Sequence, residues 1–86
     1  MNLYLLTQDV NKGYDTYDSC VIAAETEEQA KHMHPSSYEN NEKWYENQEE
    51  KFGVWTLPKN INAELIGIAS DNIQQPRVIC TSFNAG

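Results

Sequence analysis

The sequence predicts a small α+β fold: an antiparallel or mixed sheet of about four strands in the order β-β-α-insertion-β-β, with one or two short helices on one face. Three observations carry this expectation. Apolar or alternating segments at 2–8, 20–24, 61–69 and 77–83 are bounded by Gly, Pro, Asn and Asp. A helix-start signal, Thr26-Glu27-Glu28-Gln29, stands between the second and third of them, and Pro35 stops that helix early. With 86 residues the chain forms one domain, 1–86, with one modest core.

The elements follow in order. Residues 2–8, NLYLLTQ, are apolar without helical spacing, and Asp9 to Gly13 supply turn chemistry after them. Cys20-Val21-Ile22-Ala23-Ala24 is a continuous apolar run, expected as a strand covered on both faces and central in its sheet. In the capping box, Thr26 accepts from the Gln29 amide and the Gln29 side chain reaches back to the Thr26 N–H. Glu27 and Glu28 suit the positive end of the helix dipole. Ala30 and Met33 face the sheet, and the helix lasts about two turns because His34 precedes proline.

Residues 36–53 are rich in Asn and Glu and read as a partly helical or mobile insertion. A second helix over 42–52 would align Trp44, Gln48 and Phe52 on one stripe. Val54 to Leu57 form an extended piece that Pro58 ends. Ile61 to Ala69 alternates and predicts a strand buried on one face at its start and on both near its end. Residues 77–83 make the last strand.

Composition narrows the function. Thirteen acidic against six basic residues give a net charge of −7, and Arg77 is the one arginine. Phosphate-backbone binding needs clustered Lys and Arg, so direct nucleic-acid binding is not expected. The balance suits solubility or a basic partner surface. The start Met1-Asn2-Leu3-Tyr4 lacks the basic flank of a targeting segment, and no run approaches a membrane span, so a cytoplasmic protein is expected. Cys20 and Cys80 both sit in apolar runs and are expected as buried free thiols, with a bridge as the alternative.

Residues 13–19, GYDTYDS, read as a polar-aromatic loop: two tyrosines, two carboxylates and two hydroxyls fall within 14–19. Tyr gives contact area at low entropy cost, and Asp and Ser give adaptable hydrogen bonds. The loop, with Tyr14, Asp15, Tyr17 and Asp18, is therefore a candidate protein-binding surface. The plainer reading has the carboxylates capping local amides while a tyrosine packs on the sheet. Glu42, Glu46, Glu49 and Glu50, with Trp44 and Tyr45, form a second candidate surface, which reads equally as a solvated helix face.

Segments LYLLTQDVNKGYDTYDSCVIAAE, TEEQAKHMHPS, ELIGIA and VICTSFNAG together resemble a group of short proteins encoded by bacteriophages and prophages. These share a GYDTYDS-type loop, an E-x-A-x-x-x-HP-type helix end and a SFNAG-type C-terminus. The resemblance covers most of the chain outside 36–53. Its motifs mark a family and are silent on chemistry. What it implies is context: an accessory protein that blocks a host system, such as an anti-CRISPR or other anti-defence factor.

Metal and catalysis are less well supported. His32 and His34 cannot share a helical face, and neither cysteine has a second ligand at finger spacing, so no metal or cofactor is expected. No nucleophile elbow accompanies Asp15, Asp18 and Ser19; an enzyme with an aspartate base is a minor alternative. The leading expectation is a non-enzymatic inhibitor that occludes a basic surface of a host protein. The alternative is an oligomeric sponge for a signalling nucleotide, with Tyr14 or Tyr17 on the base and Arg77 or Lys12 near the phosphates. An uncovered edge strand would favour a homo-oligomer, in the simplest case a dimer.

Overall fold

The computed structural model describes residues 1–36, 44 and 54–85. Four strands, β1 (Asn2–Thr7), β2 (Thr16–Ala24), β3 (Asn62–Ile68) and β4 (Arg77–Asn84), form one sheet in the order β3-β1-β2-β4. Every neighbouring pair is antiparallel. One short helix, α1 (Glu27–Lys31), packs on β1, β2 and β3, so the protein is a small α+β fold.

Strand alternation divides the sheet into two faces. Tyr4 and Leu6 stand opposite Ile22 and Cys20, and all four are buried in the main core with Ala24, Ala30, Trp44, Trp55 and Ile61. Met33 packs against the same cluster. On the other face, Leu3, Leu5 and Thr7 stand opposite Ala23, Val21 and Ser19; Ala23 is buried and the rest are half-buried. β2 is an inner strand, and Cys20, Ile22, Ala23 and Ala24 are all buried.

The helix begins as its sequence dictates. Thr26 is extended, and its hydroxyl accepts from the Gln29 N–H at 3.1 Å. The reciprocal bond falls one residue early: Gln29 Oε1 accepts from Glu25 N–H at 2.7 Å, not from Thr26. Ala30 is the buried residue of this five-residue helix. So short a helix owes its stability to docking rather than to propensity.

Several expectations need correcting. β2 starts at Thr16, so only Gly13 to Asp15 of the supposed 13–19 loop lies outside a strand. Pairing with β4 pulls Thr16 and Tyr17 into the ladder, opposite Asn84 and Phe83. No strand forms over 54–57; Leu57 is extended, and Pro58 ends that conformation by opening a 3-10 turn, Pro58–Asn60, at a position where its missing N–H costs nothing. Cys80 is exposed, because β4 is an outer strand, and both thiols are free. The 62–68 strand is not buried on both faces near its end: Leu65, Ile66 and Ile68 are 58%, 49% and 73% exposed. β3 is also an outer strand, with a neighbouring strand on one side alone among the described residues. The proposed helix over 42–52 lies outside the described residues except for Trp44.

Candidate functional site

The loop from Gln8 to Asp15 is built around one buried amide. Gln8 follows the last residue of β1 and keeps its side chain under the loop. Its Nε2 donates to the carbonyls of Asn11 and Tyr17 at 2.7 and 3.0 Å. Its Oε1 accepts from the Val10 and Asn11 N–H groups at 2.9 and 2.8 Å. One side chain thus satisfies the backbone of a turn and of the next strand, and leaves none of its own amide hydrogen-bonding capacity unused. Asn11, also buried, donates from Nδ2 to the Trp55 carbonyl at 2.5 Å and ties the loop to the chain crossing beneath it.

The tip is fixed from both sides. Thr16 Oγ1 and Asn84 Nδ2 both donate to the Gly13 carbonyl, at 2.7 and 3.0 Å. Asp15 takes a left-handed backbone, φ 62, and its N–H donates to the Asn84 carbonyl. Asp tolerates this region better than most residues. Tyr14, held between these anchors, is 77% exposed.

Below the tip lies an aromatic stack. Tyr17 meets Phe83 edge-on at 4.9 Å between ring centroids, Trp55 at 6.5 Å and His34 at 6.4 Å. His34 in turn meets Trp44 at 5.0 Å, nearly perpendicular. Such edge-to-face pairs place a positive ring edge against a negative ring face. His34 is 1% exposed, and its Nδ1 accepts from the Ser36 N–H at 3.0 Å, which puts the neutral ring's proton on Nε2. Trp44 Nε1 donates to the His32 carbonyl at 2.7 Å. Trp55 Nε1 is buried with no partner among the described residues.

The outer layer of this end differs from the inner one. Tyr14, Phe83 and Val54 are 77%, 45% and 36% exposed; Asp9, Asp15 and Asp18, in the loop and the start of β2, are exposed too, with Lys12 as the nearby cation in sequence. Asp18 is the extra residue of a β2 bulge opposite β4, a common way to re-aim a side chain. Val54 belongs here because its carbonyl accepts from Tyr17 N–H at 2.8 Å.

The sequence-predicted residues therefore separate. Tyr14, Asp15 and Asp18 are all exposed. Tyr17 is half-buried in the stack, and Trp44 is buried in the core, so neither is a displayed contact residue. Glu42, Tyr45, Glu46, Glu49 and Glu50 lie outside the described residues. The alternative nucleotide set does not converge within one protomer. Tyr17 pairs with Phe83 and Arg77 with Ala23, 23 − 17 = 6 residues along β2, roughly 20 Å. Lys12 shares the loop end with Tyr14, but Arg77 lies at the far end of the sheet.

Sequence reasoning missed Gln8, Asn11 and Asn84, which build the loop. Their signal was an amide at each junction between strand and turn, the residue type that can replace missing backbone partners. A separate concavity of about 480 Å³ lies between α1 and the 3-10 turn, lined by Glu28, Lys31, His32, Leu57, Pro58 and Lys59. Among the described residues no group of three His, Cys, Asp or Glu converges on a metal position, and no helix is long and apolar enough to cross a membrane. Burial, and less so nearby Cys80, pushes the Cys20 thiol up to about 12. Compared with family models, curated proteins and solved structures, the chain matches none.

Proposed function

We propose that the protein is a small non-enzymatic binding protein whose loop end attaches to a basic surface of a protein partner. The observation that supports this best is the exposure of Tyr14 at the tip of a loop held by the buried Gln8. A large aromatic on a pre-ordered backbone loses little entropy on binding. The exposed carboxylates of Asp9, Asp15 and Asp18, all within five residues of Tyr14 in sequence, favour a cationic partner and speed encounter. The narrower reading is a phage-encoded inhibitor that occludes a host defence protein in the bacterial cytoplasm; it draws on the resemblance in the sequence and on the net charge of −7. Native mass spectrometry of tagged protein recovered from bacterial extract tests this. A co-purifying polypeptide with a basic surface is expected, and an adduct of a few hundred daltons in its place would overturn it.

A second reading, an oligomeric sponge for a small nucleotide, keeps one supporting observation. Lys31 and Lys59 border the concavity beside α1 with Glu28 as its one carboxylate, a local excess of positive charge in an acidic chain. Nucleotide titration with a rise in melting temperature would support it, and a flat response at saturating ligand would remove it.

A further inference from the structure

We infer that the outer edge of β3 is the pairing surface for a second copy of this chain, giving an antiparallel two-fold dimer with one continuous sheet. This inference deepens the expectation of a homo-oligomer and does not depend on the loop-end reading. Among the described residues, the order β3-β1-β2-β4 leaves one side of β3 without a neighbouring strand. Such an edge offers a row of main-chain donors and acceptors to any extended partner.

Edges exposed to water are ordinarily protected by lysine, proline, charge or bulges. β3, NAELIGI, contains neither lysine nor proline and has Glu64 as its one charge. It keeps two such devices, that charge and a register shift opposite Leu3 and Tyr4. Three aliphatic side chains, Leu65, Ile66 and Ile68, are 58%, 49% and 73% exposed along it. β4, the other outer strand, likewise has one charge, Arg77, and a shift of its own, but Ile79, at 37%, is its one exposed aliphatic beside Phe83, so β3 is the more aliphatic edge.

The occupant follows from symmetry and charge. A two-fold axis near Leu65 runs the two copies of β3 antiparallel and places each Glu64 opposite an Ile66 rather than opposite the other Glu64, avoiding a like-charge pair. The same direction brings the end of the strand that follows Lys59 against the end that precedes Asp71, so unlike charges approach at both margins. Pairing covers two main-chain rows and part of six aliphatic side chains, an interface at or below the small end of stable sizes, about 1,200 Å². A reversible dimer is therefore expected, with a dissociation constant on the order of micromolar. The loop ends would project from opposite ends of the shared sheet and remain open.

Sedimentation equilibrium on the full chain from about 1 to about 200 μM tests the inference. Wild type should pass from monomer to dimer, and Ile68→Lys and Leu65→Lys should each weaken association at least tenfold. Because both side chains are exposed, circular dichroism and melting of the monomer should stay unchanged. Phe83→Lys, on β4, should leave the dimer intact. Hydrogen exchange should also show β3 amides gaining protection with concentration. A monomer throughout the range overturns the inference, as does a dimer that ignores both β3 variants or is broken by Phe83→Lys.

Discussion

Inner and outer strands of this sheet are similarly apolar in sequence and differ sharply in burial. Leu6 and Ile22, on β1 and β2, have no exposure, whereas Ile68 on β3 is 73% exposed. β1 and β2 have a strand on each side, whereas β3 and β4 each have a single neighbouring strand among the described residues, although α1 reaches β3 as well. Hydropathy thus specifies that a segment enters a sheet, and strand order decides whether its side chains reach the core. The outer strands and the loop end keep apolar groups in contact with water, which is where binding surfaces are found.

The comparison can be broken most forcefully at its buried side. Trp55→Ala should cost about 3–5 kcal/mol and leave the domain largely unfolded, as read by urea denaturation, because Trp55 is the largest fully buried side chain. Gln8→Ala should cost about 2–3 kcal/mol by orphaning backbone groups under the loop. Amide exchange at Val10 and Asn11 should rise with it, since both donate to Gln8.

Cys20 tests burial through pH. Its thiol is pushed up from 9.0 to about 12, so above pH 9 the unfolded chain loses a proton that the folded chain keeps. This contribution is intact below pH 9, and stability falls by about 1.4 kcal/mol per pH unit from there to about 12. Denaturation at pH 8.5 and 10.5 should show that part of the slope disappearing in Cys20→Ala. In the native protein at pH 8, a thiol reagent should label exposed Cys80 and spare Cys20.

Smaller effects sharpen the other side. Thr26→Ala removes the bond to Gln29 N–H and should cost about 1 kcal/mol in thermal unfolding. Ile68→Ser, on the outer strand, should change monomer stability by no more than about 0.5 kcal/mol despite removing a large aliphatic. An Ile68→Ser penalty comparable to that of Trp55→Ala would erase the distinction between inner and outer strands.

The strand segments, the capped helix and the fold class were legible because each rests on local chemistry. Alternation, a Thr-x-x-Gln spacing and Pro35 act within a few residues. The layer order was not legible, because the placement of β3 beyond β1 and β4 beyond β2 depends on long-range pairing. That is why 61–69 and Cys80 read as buried. At the candidate site, residue type alone singled out Tyr14, Asp15 and Asp18, and all three are exposed. Tyr17 was misplaced because the same Tyr-Asp pattern continues unbroken into β2, and sequence gives no mark where the loop ends. Gln8 was passed over because a buried glutamine is recognised only by the backbone groups it satisfies.

The central claim is that the loop end recognises a basic protein surface, and one parallel capture tests it directly. Wild type and a Tyr14→Ala/Asp15→Asn double variant are used as bait in the same bacterial extract across a salt series. Asn retains the left-handed backbone that Asp15 adopts, so the variant should melt with the wild type. The predicted result is a basic protein held by wild type, released as ionic strength rises and missing from the variant. Equal capture by both baits at every salt concentration would contradict the account.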